Sequence, residues 1–108
     1  MTDFIEIHWT SGSIEEARKI SRYLVQERLV ACARIIPWVE SISLLNGQLD
    51  TTQESKVSLV ASKDQYEKVQ KIIRENSTYQ VPEITYQAID GVNEEYLHWL
   101  NSTQPSLE

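Results

Sequence analysis

Two histidines, one cysteine and a scattered set of carboxylates are the side chains best suited to chemistry in this sequence, and their spacing decides which chemistry is open to them. A transition-metal site needs several His, Cys, Asp or Glu donors to converge. His8 and His98 lie near opposite ends of the chain, and neither is flanked by an H-x-x-x-H pattern, so each reads first as a partly exposed polar residue. Cys32 sits between Ala31 and Ala33 in an apolar run, the setting of a small buried thiol rather than of a nucleophile. Nucleophilic catalysis would require a hydroxyl or that thiol beside a base, and the sequence gives neither histidine such a neighbour. Thr10-Ser11-Gly12-Ser13 could turn amides toward a phosphate ahead of a helix, yet the loop holds no Lys or Arg and helix capping accounts for it. The carboxylates at Glu40, Asp50, Glu54, Glu83, Asp90, Glu94 and Glu95 are hard oxygen donors. Two or more of them, meeting across a hairpin or between subunits, could hold a divalent cation, the one cofactor this composition invites.

The balance of the composition narrows the partners. Ten Lys and Arg against sixteen Asp and Glu give a formal charge of −6 and a pI near 4.9, which repels polyanions, so no nucleic-acid partner is expected. The strands also lack the paired aromatics with basic flanks that stack and neutralise RNA. No apolar run approaches the ~18 residues of a membrane span, and Met1 leads into Asp3, Glu6 and His8 rather than a basic and then apolar leader; a cytoplasmic location is expected. At 108 residues with 41% hydrophobic content the chain suits one packed core, a single domain over 1–103 with a flexible tail over 104–108. A lone cysteine cannot staple it internally.

The elements that must position any site are readable from period and punctuation. Ile5, Ile7 and Trp9 alternate with Glu6 and His8, the mark of a half-buried first strand. Ser13 and Glu16 form a capping box ahead of a helix whose apolar stripe is Ile14, Ala17, Ile20 and Leu24 and which should end near Arg28. From Val30 to Leu45 the chain is rich in Ile, Val and Leu, and Asn46-Gly47 then predicts a type I′ hairpin turn. Val57, Leu59 and Ala61 alternate on the return, so two strands of about a dozen residues pair across that turn, longer than the usual ~5–6. A hairpin that outruns its own core leaves edge amides and apolar faces to a neighbouring subunit. Ser62 and Gln65 predict a second capped helix carrying Tyr66, Val69, Ile72 and Ile73, ending around Asn76. Pro82 breaks the chain, a fourth strand runs from Glu83 to Ile89, and Asn93 caps a short third helix anchored by Tyr96, Leu97, Trp99 and Leu100. The order βαββαβ plus a terminal helix is the split βαβ, ferredoxin-like arrangement of an α+β domain with both main helices on one face of an antiparallel sheet. The other face must be polar, ligand-bearing or buried by partners. Acylphosphatase-like hydrolysis on this fold class rests on analogy alone, and the chain is read as no enzyme.

The ordered set Ala31-Cys32-Ala33, Ile36-Pro37, Ser41, Asn46-Gly47, Glu54, Tyr79, Pro82-Glu83-Ile84, Gly91 and Tyr96-Leu97-His98-Trp99 resembles the CutA family of divalent-cation-tolerance proteins across nearly the whole chain. The resemblance implies a cytoplasmic homotrimer, a link to divalent-cation and especially copper tolerance, and no established catalysis, and it leaves room for an unidentified protein partner. It also implies an intersubunit cleft lined by Glu54, Glu83 and Tyr79 and an assembly hairpin at Leu44, Leu45, Asn46 and Gly47. Copper-binding members place a cysteine and a His-His-Pro-Tyr run where this chain has Trp9 and Asn76-Ser77-Thr78-Tyr79, and neither an indole nor a hydroxyl replaces such ligands. The hairpin tip, aromatic in many members, is Ser43-Leu44-Leu45-Asn46, and a Lys-Thr pair of the family is Val60-Ala61 here. The alternative is an effector-binding trimer resembling the PII signalling proteins.

Overall fold

Alternation in the first strand fixes which face of the sheet is inside. Ile5, Ile7 and Trp9 of β1 (Phe4–Ser11) are sealed from solvent, as are Val57, Leu59 and Ala61 of β3 (Gln48–Ser62) paired beside them. A slip of one residue in either strand would turn that strand's three to the other face, and each fully buried aliphatic chain contributes roughly 1.5–3 kcal/mol, so this register is strongly held. The computed structural model describes residues 3–104 and is built as β1, α1 (Ile14–Gln26), β2 (Cys32–Leu45), β3, α2 (Tyr66–Asn76), β4 (Ile84–Ala88) and α3 (Glu94–Thr103). The sheet is antiparallel throughout in the order β2-β3-β1-β4, the ferredoxin-like α+β arrangement expected from the sequence. β2 and β4 are its two edges.

On one face α1 contributes Ala17, Ile20 and Leu24, and α2 contributes Val69 and Ile73, to the core around Trp9 and Leu59. Ile14 of the expected stripe is only half-buried, while Ser21 is buried with it. The other face is not left bare. α3 folds over one end of it and closes a second, smaller core of Phe4, Ala31, Val60 and Leu100. Beyond α3 that face turns polar: Glu6 pairs with His8 at 3.1 Å and accepts the Ser58 hydroxyl at 2.9 Å.

Several ends differ from the sequence reading. α1 stops at Gln26, and Arg28, expected as its last residue, instead takes a left-handed φ of 61° while Leu29 N–H bonds back to Leu24. Its guanidinium donates to the carbonyls of Ser102 and Thr103, capping α3 from a distance. Ser62 does not cap α2. It is still the last residue of β3, paired opposite Phe4, so a 3-10 turn over Lys63–Gln65 intervenes and the helix begins at Tyr66. Asn93 stands at the start of α3, but its side-chain amide turns to Glu95 rather than accepting a helix N–H. The fourth strand is shorter than Glu83 to Ile89 at both ends. Gln104, placed by the sequence in the flexible tail, is buried, and its side-chain oxygen accepts the Ser62 N–H at 3.1 Å; the rest of that tail lies outside the described residues.

The hairpin is the longest feature of the molecule. β2 and β3 are 14 and 15 residues long, and beyond Ser55 they pair only with each other, giving overall dimensions of 48 × 26 × 21 Å. Asn46 and Gly47 both take positive φ, 53° and 80°, as a type I′ turn demands. A bulge interrupts the pairing between Ile36 and Val39, where Pro37 and Trp38 face the single residue Ser55. Proline has no ladder N–H to give, and Ser55 Oγ donates to the Pro37 carbonyl at 2.8 Å, so that carbonyl is satisfied within the bulge.

Candidate functional site

Tyr79, Glu54 and the start of α1 meet at the base of that hairpin. α1 begins because Ser13 Oγ accepts the Glu16 N–H at 3.1 Å, one half of the capping box. The other half is diverted. The Glu16 carboxylate does not return to Ser13 but accepts the Ser11 hydroxyl at 2.6 Å and the Thr78 N–H at 2.8 Å, which ties the α2–β4 connection to the end of β1. This places Tyr79 over Gly12, where a Cβ would lie 3.1 Å from two ring carbons, so glycine is what lets the ring approach.

From there the Tyr79 hydroxyl donates to Glu54 Oε2 at 2.6 Å, a short charge-assisted bond. That bond, then burial, then the negative charges of Glu54 and Glu16, push the Tyr79 phenol up to about 12. Glu83, the third residue assigned to the cleft, sits at the same end of the sheet, but its carboxylate accepts from Thr10 at 2.9 Å rather than joining Glu54 or Tyr79. The structure thus brings two of the three together by direct contact and holds the third across Thr10. A pocket of about 140 Å³ borders Glu54, between the α1 entry loop and the bulge at Pro37 and Trp38.

Chemically the site offers carboxylate, phenol and hydroxyl oxygens only. Among the described residues no group of three or more His, Cys, Asp and Glu side chains is close enough to hold a metal. Trp9, the position of the implied family cysteine, is wholly buried in the core; Asn76 donates to the Ile72 carbonyl and Ser77 accepts the Tyr79 N–H, so the three do not face one another as ligands. Cys32 is half-exposed on the edge strand, 3.8 Å from the Tyr96 hydroxyl, not sealed in the core as its apolar neighbours suggested. Of the assembly residues, Leu44 is 71% exposed and Leu45 flanks the turn with it. Sequence reasoning missed Glu16 and Thr10 as partners of the cleft. Glu16 looks like a cap residue in any sequence, and only the Gly12 two residues before the helix hinted that something large must pack there.

Among the described residues no helix is long and apolar enough to cross a membrane. The family model described as CutA1 divalent ion tolerance protein matches residues 5–103. The chain is 36% identical over 91 residues to the divalent-cation tolerance protein CutA of Thermus thermophilus, covering 84% of this chain and 88% of that one. It is 31% identical over 101 residues to the chloroplastic CutA protein of Arabidopsis thaliana, covering 93% of this chain but only 56% of that relative, so it spans a little over half the plant protein's length. The crystal structure of CutA1 from Oryza sativa superposes with a TM-score of 0.91 at 25% identity, covering 96% of this chain and 95% of that one. The chain therefore belongs to the CutA1 divalent ion tolerance family.

Proposed function

We propose that this protein is a self-assembling, non-enzymatic component of the divalent-cation response: a cytoplasmic homotrimer in which the cleft at Tyr79, Glu54 and Glu83 faces a neighbouring subunit. The observation that carries the reading is the hairpin arm. Trp38 (73%), Leu44 (71%) and Leu49 (77%) are exposed along a strand pair that projects past the rest of the sheet, and both sheet edges, β2 and β4, lack a partner among the described residues. Exposed apolar arms and open edges of this length are normally covered by another chain. Light scattering at micromolar concentration tests it: a mass near three times 12.5 kDa supports the trimer, and a monomer overturns it.

The cleft's chemistry points to a hard cation. Glu54 and Glu83 each accept one hydrogen bond, which leaves lone pairs free, and oxygen donors suit magnesium or manganese better than copper. A neighbouring subunit would have to complete the coordination shell. Titration with copper, zinc and magnesium on the intact protein and on Glu54→Ala and Glu83→Ala variants decides it. Binding lost only in the variants places a cation in the cleft, while no binding at all leaves an assembly without metal chemistry, whose state a protein partner would read.

A further inference from the structure

A groove lies away from the cleft, beside the edge strand β2, where α1 and α3 approach it. It encloses about 720 Å³ and is lined by Arg18, Ser21 and Arg22 from α1, Cys32 and Ile35 from β2, and Trp99 from α3, with small residues between. That volume lies within the ~300–1,000 Å³ of small-molecule sites.

Three features separate it from a plain surface furrow. First, Arg18 and Arg22 stand one helical turn apart on the same side of α1, both opening on the groove, in a chain whose net charge is −6. Among the described residues neither guanidinium makes a side-chain hydrogen bond or an ion pair within 4.0 Å; the one ion pair found is His8 with Glu6. Second, Ser21 lines the groove between them at 4% exposure, and its hydroxyl has no hydrogen-bond partner. A buried hydroxyl without a partner is uncommon, and it ordinarily marks a place where another group belongs. Third, apart from Gln26 and the Cys32 thiol the rest of the lining is apolar, and Trp99 stacks at 5.6 Å on Tyr96, which holds the indole as a platform.

We infer that this groove binds a small organic anion, its phosphate or carboxylate head held by Arg18, Arg22 and the Ser21 hydroxyl and its apolar body laid between Ile35 and Trp99. Paired guanidiniums one turn apart are suited to an oxyanion, and a half-exposed indole to a flat apolar body. The site does not depend on the cleft at Glu54, whose carboxylates would repel the same ligand.

The test uses the intact protein and two probes that share this chemistry but differ in head group, phenyl phosphate and benzoate, with phenol as the neutral control, followed by calorimetric titration. One probe molecule per chain should bind saturably, and whichever probe binds tighter identifies the head group. Arg18→Gln and Arg22→Gln, both at exposed positions and with folding checked by melting temperature, should each weaken binding about tenfold or more, while Glu54→Ala leaves it unchanged. Three results would overturn the inference: no saturable binding of either probe, as when a neighbouring copy fills the groove; equal binding of phenol; or undiminished binding in the Arg18→Gln, Arg22→Gln double variant. An acidic strand-forming peptide that binds the edge when neither probe does would reassign the groove to a protein partner.

Discussion

Replacing Tyr79 by Phe removes one hydroxyl and keeps the ring over Gly12, so it isolates the bond to Glu54. Hydrogen bonds to charged groups contribute about 1.5–3 kcal/mol when buried. Glu54 and Tyr79 are both half-buried and water can reach the carboxylate, so the loss at pH 8 should be smaller, about 0.5–1.5 kcal/mol. The pH dependence carries a sign. Because the folded phenol titrates at about 12 rather than its ordinary 10.0, the protonated form is the one the fold stabilises. That contribution is fully present below pH 10 and is lost as pH rises toward 12. Urea unfolding of wild type and Tyr79→Phe, at equal chain concentration because assembly shifts the midpoint, should show a constant gap from pH 7 to 10 that closes toward 12. Absorbance titration should show the last phenolate to form in the wild type missing from the variant. A gap that is absent at pH 8, or that persists unchanged at pH 12, would refute the role assigned to this bond.

Other expectations follow from single contacts. Gly12→Ala drives a Cβ to 3.1 Å of the Tyr79 ring and should displace it from Glu54, so that the late phenolate of the wild type moves back toward the ordinary 10.0 in absorbance titration, with the number of titrating tyrosines unchanged. Arg28→Ala keeps the left-handed φ of 61° and loses both bonds to the end of α3, whereas Arg28→Gly loses the same bonds but relieves the backbone; Gly should be more stable than Ala by about 1 kcal/mol in thermal unfolding. Gln104→Ala leaves the buried Ser62 N–H without its partner and should cost about 1–3 kcal/mol by denaturant titration, a loss that a flexible tail would not show.

The parts of the fold legible in the sequence are those where one local rule acts alone. The alternation of Ile5, Ile7 and Trp9 has one meaning in a strand, and Asn46-Gly47 has one favoured turn, and both were found as read. Where two rules compete, the tertiary contact wins. Ser13 caps α1 as its type suggests, but Glu16 has stronger partners in Ser11 and Thr78 than the cap amide. Ser62 has the residue type of a cap, yet the pairing with Phe4 holds it in the strand. Arg28 carries no local sign that it will take the conformation usually left to glycine, since the reward comes from α3, distant in sequence. The bulge at Pro37 and the burial of Ser21 were hidden for the same reason: each depends on which residue lies opposite. Glu54 and Tyr79, which the structure brings into contact, were named together through the family resemblance, not through spacing, because nothing local couples positions so far apart in the chain.

The account stands on the hairpin arm as an assembly device, and the most direct measurement is the solution mass of the protein beside that of a Leu44→Asp, Leu49→Asp variant. These two leucines pair across the strands next to the turn and are exposed, so charging them leaves the core of the fold untouched. Light scattering should give a mass near three times 12.5 kDa for the wild type and a lower mass for the variant, with both retaining the same circular dichroism spectrum. A wild-type monomer, or a variant that assembles as fully as the wild type, would contradict it.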